Sequence, residues 1–289
     1  PWRALTPRTT HRPSFNPAMH TQSSLRRQLR SVASLAGLAL ALLLSSCATT
    51  PQAKQPATLT QVSAIDALLA GGYDGQVTLT ELRRSGDFGI GTFHALDGEM
   101  ILLDGVFYQA KADGRIYQPA MTATTPFASV VEFKAQKTAP LAGEMDWGTL
   151  TSAADMLAGD ANALCAIRVH GTFRQVKVRS VPAQQKPYPA LAEVAKTQPV
   201  FELSNVTGTL VGFRAPPFVK GLNVPGYHLH FLSDDHQSGG HVLSLTLETG
   251  TLELASYSLF QVQLPASPDS LAGLDLHKDR AQELKAVEQ

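Results

Sequence analysis

Cysteine is scarce. The 289-residue chain has two, Cys47 and Cys165. Cys47 ends an N-terminal apolar run, so the processed chain has no partner with which Cys165 could form an intrachain disulfide, whatever its redox compartment. Cys165, in "ALCAIRV", reads as a small buried apolar residue. No second apolar span follows the first, and no Gly-rich phosphate loop appears. Neither a bundle of membrane helices nor a P-loop nucleotide site is therefore expected. No residue-by-residue repeat marks a solenoid. Net charge is also lacking, with 24 basic and 24 acidic residues. The balance is uneven, however. Residues 1–46 hold six arginines and no acids, which leaves 18 basic against 24 acidic residues beyond them, a net of −6. A mildly acidic body argues against a nucleic-acid partner.

The N-terminal arginines have a pattern of their own. The first methionine is Met19, and residues 1–18 read as an upstream extension outside the fold. Arg26, Arg27 and Arg30 precede an apolar segment, Val32 to Leu44. That segment is shorter than the about 20 residues a membrane span needs. It ends in "LSSC", which resembles a bacterial lipobox. The resemblance implies cleavage of a signal peptide over 1–46 and a lipid on Cys47, with an ordinary secretory cut near Ala48 as the alternative. Residues 47–57, rich in Thr, Gln, Ala and Pro, then form a tether. The expected location is the bacterial cell envelope, periplasmic or outer-membrane-attached, with membrane contact only through the lipid.

Beyond the tether, "TQVSAIDALLA" carries Val62, Ile65, Leu68 and Leu69 at helical spacing, which predicts a helix over Thr60 to Ala70 capped by Thr60. Further on, "LDGEMILLDGVFYQAKADGRIYQ" holds three Asp-Gly pairs: Asp97-Gly98, Asp104-Gly105 and Asp113-Gly114. Asp-Gly accepts the positive φ of tight hairpin turns, so the runs between them read as an antiparallel meander. A polar stretch with a proline, Gln136 to Ala142, precedes a helix at Ser152 to Leu157. "ALCAIRVHGTFRQVKVRSV" alternates like one or two strands, and Pro189 to Lys196 is a short helix. Strands return from Val200 to Leu264, and the polar C-terminal segment reads as a helix with a mobile end. The expected fold is α+β and β-dominated, with few short helices. It divides into a β-rich domain over 58–150 and a second over 151–289 that carries the tail.

Four of the nine histidines fall in "GYHLHFLSDDHQSGGHVL", Gly226 to Leu243. Strand residues i and i+2 share a face, so His228 and His230 project together. A hairpin turning through Ser233 to Gly239 sets 230 opposite 241, and His241 joins that face. Three converging imidazoles with no fixed fourth protein ligand suit an open catalytic zinc site; Mn, Fe, Co or Ni could take the same ligands. A polar hairpin that happens to carry imidazoles fits the same pattern. His236 is the other choice of third ligand, at the turn apex beside Asp234 and Asp235. His94 and His170 stand alone and read as structural.

With these stretches in view, the sequence resembles the α-acetolactate decarboxylase family. The resemblance runs from about Ile65 to the C-terminus. It rests on "GDFGIGTFHALDGEMILLDGVFYQ", "VRSVPAQQKPYPAL", "GTLVGF" and "GLNVPGYHLHFLSDDHQSGGHVL". It implies two β-sheet domains with the active site between them. It implies a zinc-dependent carboxy-lyase that turns 2-acetolactate into acetoin and CO2. The family's zinc histidines fall on His228, His230 and His241, its turn glutamate on Glu99 and its arginine on Arg179. A glutamate from the C-terminal tail also reaches the family's metal site; Glu288 and Glu283 both fit. A lipobox is not part of the family pattern.

The substrate so implied is a β-keto acid with a hydroxyl on its central carbon. Loss of CO2 sends electrons into the neighbouring carbonyl as an enediolate, which a zinc ion would stabilise. No organic cofactor is needed. Arg179 is suited to hold the departing carboxylate, Glu99 to deliver a proton, and Glu288 to bind metal or close the site. The partner is then a small molecule, and a homodimer stays an open assembly. Two other readings compete. A cupin-like oxygenase or isomerase uses His-x-His but places a Glu soon after it, and none stands in Phe231 to Asp235. A non-catalytic metal- or ligand-binding envelope lipoprotein fits the lipobox and tether.

Overall fold

The computed structural model describes residues 57–265 and 270–288. The signal segment 1–46, the lipobox at Cys47 and all of the tether except Ala57 lie outside the described residues. Among those described there are fourteen strands and five α-helices. The strands are β1 (Thr58–Val62), β2 (Val77–Thr78), β3 (Phe88–Thr92), β4 (Glu99–Leu103), β5 (Val106–Ala110), β6 (Ile116–Tyr117), β7 (Thr124–Thr125), β8 (Ala128–Val131), β9 (Lys137–Asp146), β10 (Leu164–Arg179), β11 (Val200–Ala215), β12 (Gly226–Ser233), β13 (Gly239–Tyr257) and β14 (Leu259–Gln263). The helices are α1 (Ile65–Leu69), α2 (Leu79–Leu82), α3 (Trp147–Ala158), α4 (Leu191–Ala195) and α5 (Ala281–Glu288). The fold is β-dominated α+β, as the sequence suggests.

Two sheets carry the structure. One has seven strands in the order β14-β1-β8-β3-β4-β5-β6. The other has five, β10-β11-β12-β13-β9, and β10 also pairs with β13, so four of its strands close on themselves. The sheets exchange strands across residue 150: β9 joins the five-stranded sheet, and β14 lies parallel to β1 in the seven-stranded one. Residue 150 itself falls within α3.

Local chemistry accounts for most of the elements. Asp104 and Gly105 both adopt positive φ (48° and 82°), which lets two residues turn β4 into β5. Asp146 caps α3 by accepting from the Thr149 N–H at 2.8 Å, and Gly159 ends it at φ 75°. This helix runs beyond the predicted Ser152–Leu157 at both ends. The stretch with Pro140 is a strand, β9, which tolerates proline because it lies at a sheet edge. One expectation fails: Thr60 does not cap a helix. Residues Thr58–Val62 form β1, hydrogen-bonded on both sides to β14 and β8, and only Ile65–Leu69 is helical. Tertiary pairing overrides the helical spacing there.

Alternation of faces decides where the functional residues point. In β12, Leu229 and Phe231 enter the core enclosed by the five-stranded sheet, together with buried Cys165. Leu232, on the opposite face, enters the core between the sheets, so His228 and His230 share that inter-sheet face. In β4, Ile101 belongs to the same inter-sheet core, and Glu99 lies two residues before it. In β10, Cys165, Ile167 and Val169 face the enclosed core, but further along Val176 and Val178 do. The parity changes through register irregularities against β13 around Phe173 and Gln175. That change turns Arg179 toward the space between the sheets.

Candidate active site

His228, His230, His241, Glu99, Arg179 and Glu288 line one buried cavity between the sheets. His230 and His241 stand opposite one another across the β12–β13 ladder, in the register the hairpin arithmetic requires. The three ring centroids are 5.0, 5.2 and 5.4 Å apart, and one ligand atom from each histidine lies within 4.8 Å of the others. His236 sits on the exposed turn at φ 54°, against the ring of Tyr108, and is not in the trio. His94 accepts from the Gly75 N–H, and His170 contacts Asp234; neither lines the cavity.

Each imidazole has a defined environment. The Nδ1 of His230 lies 2.8 Å from the Met100 carbonyl, so it carries the proton and leaves Nε2 as a lone-pair donor. That Nε2 has no hydrogen-bond partner among the described residues, although it is buried. Burial first, then the nearby Arg179 charge, pushes His228 down to about 3. Burial holds His230 and His241 well below the ordinary histidine value. All three are therefore neutral near pH 7, the state in which imidazole binds a metal.

The acids and the arginine complete the cluster. Arg179 is 4% exposed. Its Nη1 donates to Glu99 Oε1 at 3.1 Å, and its Nη2 to the Val287 carbonyl at 3.2 Å. Glu99 Oε2 stands 3.7 Å from His230 Nε2. Glu288 Oε2 lies 3.8 Å from His228 Nε2 and 3.7 Å from His241 Nε2, and it too lacks a hydrogen-bond partner among the described residues. Burial raises both carboxyls to about 7, against the opposing pull of Arg179; Glu288 adds to the rise at Glu99. Of the two tail glutamates, Glu288 reaches the cluster, while Glu283 pairs with Lys278 and Arg280 outside it. The expected mobile end is instead packed: Leu284 and Val287 are buried beside α4.

The residues present fit a metal ion. Three neutral imidazoles converge, and a buried ring nitrogen and a buried carboxylate oxygen face the same space without partners among the described residues. Sequence reasoning missed the backbone groups, Met100 carbonyl and Val287 carbonyl, because every residue has a carbonyl and only the fold selects one. It also missed the apolar wall of Ile65, Leu68, Leu96, Phe127, Val181 and Leu191. No local pattern separates a cavity wall from an ordinary core.

Comparison with known proteins follows the same lines. The profile of the family described as alpha-acetolactate decarboxylase matches residues 59–277. The chain belongs to the α-acetolactate decarboxylase family. An alpha-acetolactate decarboxylase of Methanosarcina mazei is 48% identical over 230 residues, which is 80% of each chain. One from Methylococcus capsulatus is 46% identical over 205 residues, 71% of this chain and 79% of that one. The crystal structure of alpha-acetolactate decarboxylase from Bacillus subtilis superposes with a TM-score of 0.78 at 36% identity, covering 80% of this chain and 99% of the other. Membership in the α-acetolactate decarboxylase family replaces the cupin-like alternative.

Proposed function

We propose that this protein is a carboxy-lyase that converts 2-acetolactate to acetoin and CO2. His228, His230 and His241 would hold one divalent metal ion, with zinc the best fit to three neutral imidazoles. The reading is carried by those three buried rings, aimed at one point beside Arg179 and Glu99. When bound, such an ion supplies Lewis-acid stabilisation of charge developing on the substrate oxygens.

The chain's own residues meet the remaining needs of the reaction. The bond between the central carbon and the carboxylate breaks, CO2 leaves, and the electron pair stays with the substrate. One proton must then be added to that carbon. Arg179 is placed to orient the carboxylate before it departs: its Nε is buried and has no hydrogen-bond partner among the described residues, which leaves a donor for it. Glu99 is placed to hold the proton, since burial raises its carboxyl to about 7. Glu288 Oε2 faces His228 and His241 and serves as a further ligand or closes the site. The apolar wall formed by Leu68, Leu96, Phe127 and Leu191 keeps water away and suits methyl groups.

The test is acetoin formation from racemic 2-acetolactate by purified protein, before and after chelation and after zinc is restored. Zinc binding without acetoin would leave a metal-binding envelope protein as the reading. For location, the lipobox-like "LSSC" supports an exported protein anchored through lipid on Cys47.

A further inference from the structure

We propose that Ser180 is a positioning residue for this reaction, its hydroxyl fixing how the Arg179 end of β10 stands against Glu99. The inference rests on the function proposed for the site. Arg179 closes β10, where it pairs with His241 on one side and Val200 on the other. Its backbone is thus fixed within the five-stranded sheet. Glu99 belongs to the other sheet, and among the described residues no backbone ladder joins Arg179 to it.

Ser180 makes that connection. It is completely buried, and its Oγ donates to the Ala110 carbonyl at 2.7 Å. Ala110 ends β5 and stands directly opposite Glu99 in the β4–β5 ladder. A single side-chain hydrogen bond therefore joins the residue after Arg179 to the residue across from Glu99. Beside it, the Gly98 N–H donates to the Val181 carbonyl at 3.1 Å. The 3.1 Å contact between Arg179 and Glu99 lies along the seam that these two bonds hold.

Apolar contact between sheets is non-directional and leaves small displacements cheap. A buried hydrogen bond has a set length and angle. Arg179 and Glu99 must act on one substrate at once, and a misplacement of about 1 Å can cost on the order of 100-fold in rate. Ser180 supplies the directional restraint without touching the reacting atoms.

The test compares Ser180→Thr with Ser180→Val in the zinc-loaded protein. The two new side chains have nearly the same shape, and only threonine keeps Oγ. The valine variant is expected to show kcat at least about tenfold below the threonine variant, with KM within about threefold and equal zinc per chain. Its crystal structure is expected to show a longer Arg179–Glu99 separation. Should the branched side chains not fit, Ser180→Ala against wild type gives the same comparison. Equal kcat in the two variants, measured where circular dichroism shows both folded, overturns the proposal even if their melting points differ. So does loss of zinc from the valine variant. A wild type that forms no acetoin overturns the functional reading itself; an active wild type with matched variants overturns only the role of Ser180.

Discussion

Arg179 pairs with His241 in the backbone of one sheet and donates to the Glu99 carboxylate of the other at 3.1 Å. One side chain thus joins the face that carries the three histidines to the acid opposite it. Replacing Arg179 with alanine is expected to lower kcat/KM on the order of 100-fold or more, as loss of a preorganised donor does. Glu99→Gln keeps an acceptor for Arg179 but removes the titratable proton, and should lower kcat on the order of 100-fold. Zinc per chain should stay near wild type in both. Normal turnover by either variant would remove that residue from the mechanism.

Metal binding and activity are expected to disappear together in His230→Ala. That ring donates its Nδ1–H to the Met100 carbonyl and presents Nε2 to the cavity, with no hydrogen-bond partner among the described residues. The check is metal content by atomic emission alongside acetoin formation. Full activity after chelation, or a zinc-loaded variant, contradicts the assignment.

In the metal-free protein the buried histidines and the two raised carboxyls bend the pH dependence of stability in opposite directions, and the sign of each follows from the direction of its shift. His228 binds its proton less readily folded, at about 3, than unfolded. Its stabilising contribution is present above about 6.5 and is lost as pH falls toward the folded value. Glu99 and Glu288 act in the opposite sense. Raised to about 7, they favour the folded state below the ordinary carboxyl range, and that contribution is lost as pH rises through about 7. Urea unfolding of metal-free His228→Asn against pH should therefore give a shallower acid slope, by up to about 1.4 kcal/mol per pH unit between pH 4 and 6. An unchanged slope contradicts a depressed His228.

Removal of most of α5 should abolish most activity. Truncation after Glu283 deletes Val287, whose carbonyl accepts from Arg179, and Glu288, which faces two histidines. Alanine at Glu288 alone separates the carboxylate from the packing of Leu284 and Val287. Wild-type rates in both variants place the tail outside the chemistry.

For the lipobox reading, metabolic labelling with palmitate should mark the wild type and not Cys47→Ala. An unlabelled wild type argues for the ordinary secretory cut near Ala48 or for no processing at all, and a labelled variant places the lipid on a residue other than Cys47.

Much of the site was legible because its core is local. His228 and His230 share a face by strand periodicity, and His241 is set opposite by the length of one hairpin. Asp104-Gly105 announced its turn through backbone stereochemistry alone. Glu99, Arg179 and Glu288 were reached only through family resemblance, because no spacing in the chain connects residues so far apart.

The amino-acid sequence by itself determined the β-rich character, the tight turns and the trio of imidazoles, since each depends on backbone preferences within a few residues. Tertiary structure decided the rest. Pairing on both edges made Thr58–Val62 a strand where helical spacing pointed elsewhere. Irregular register in β10 turned Arg179 from the enclosed core to the inter-sheet face. Packing of Leu284 and Val287 carried Glu288 to the histidines. Burial, which exists only once the sheets meet, lowered the three imidazoles and raised the two carboxyls of the cluster.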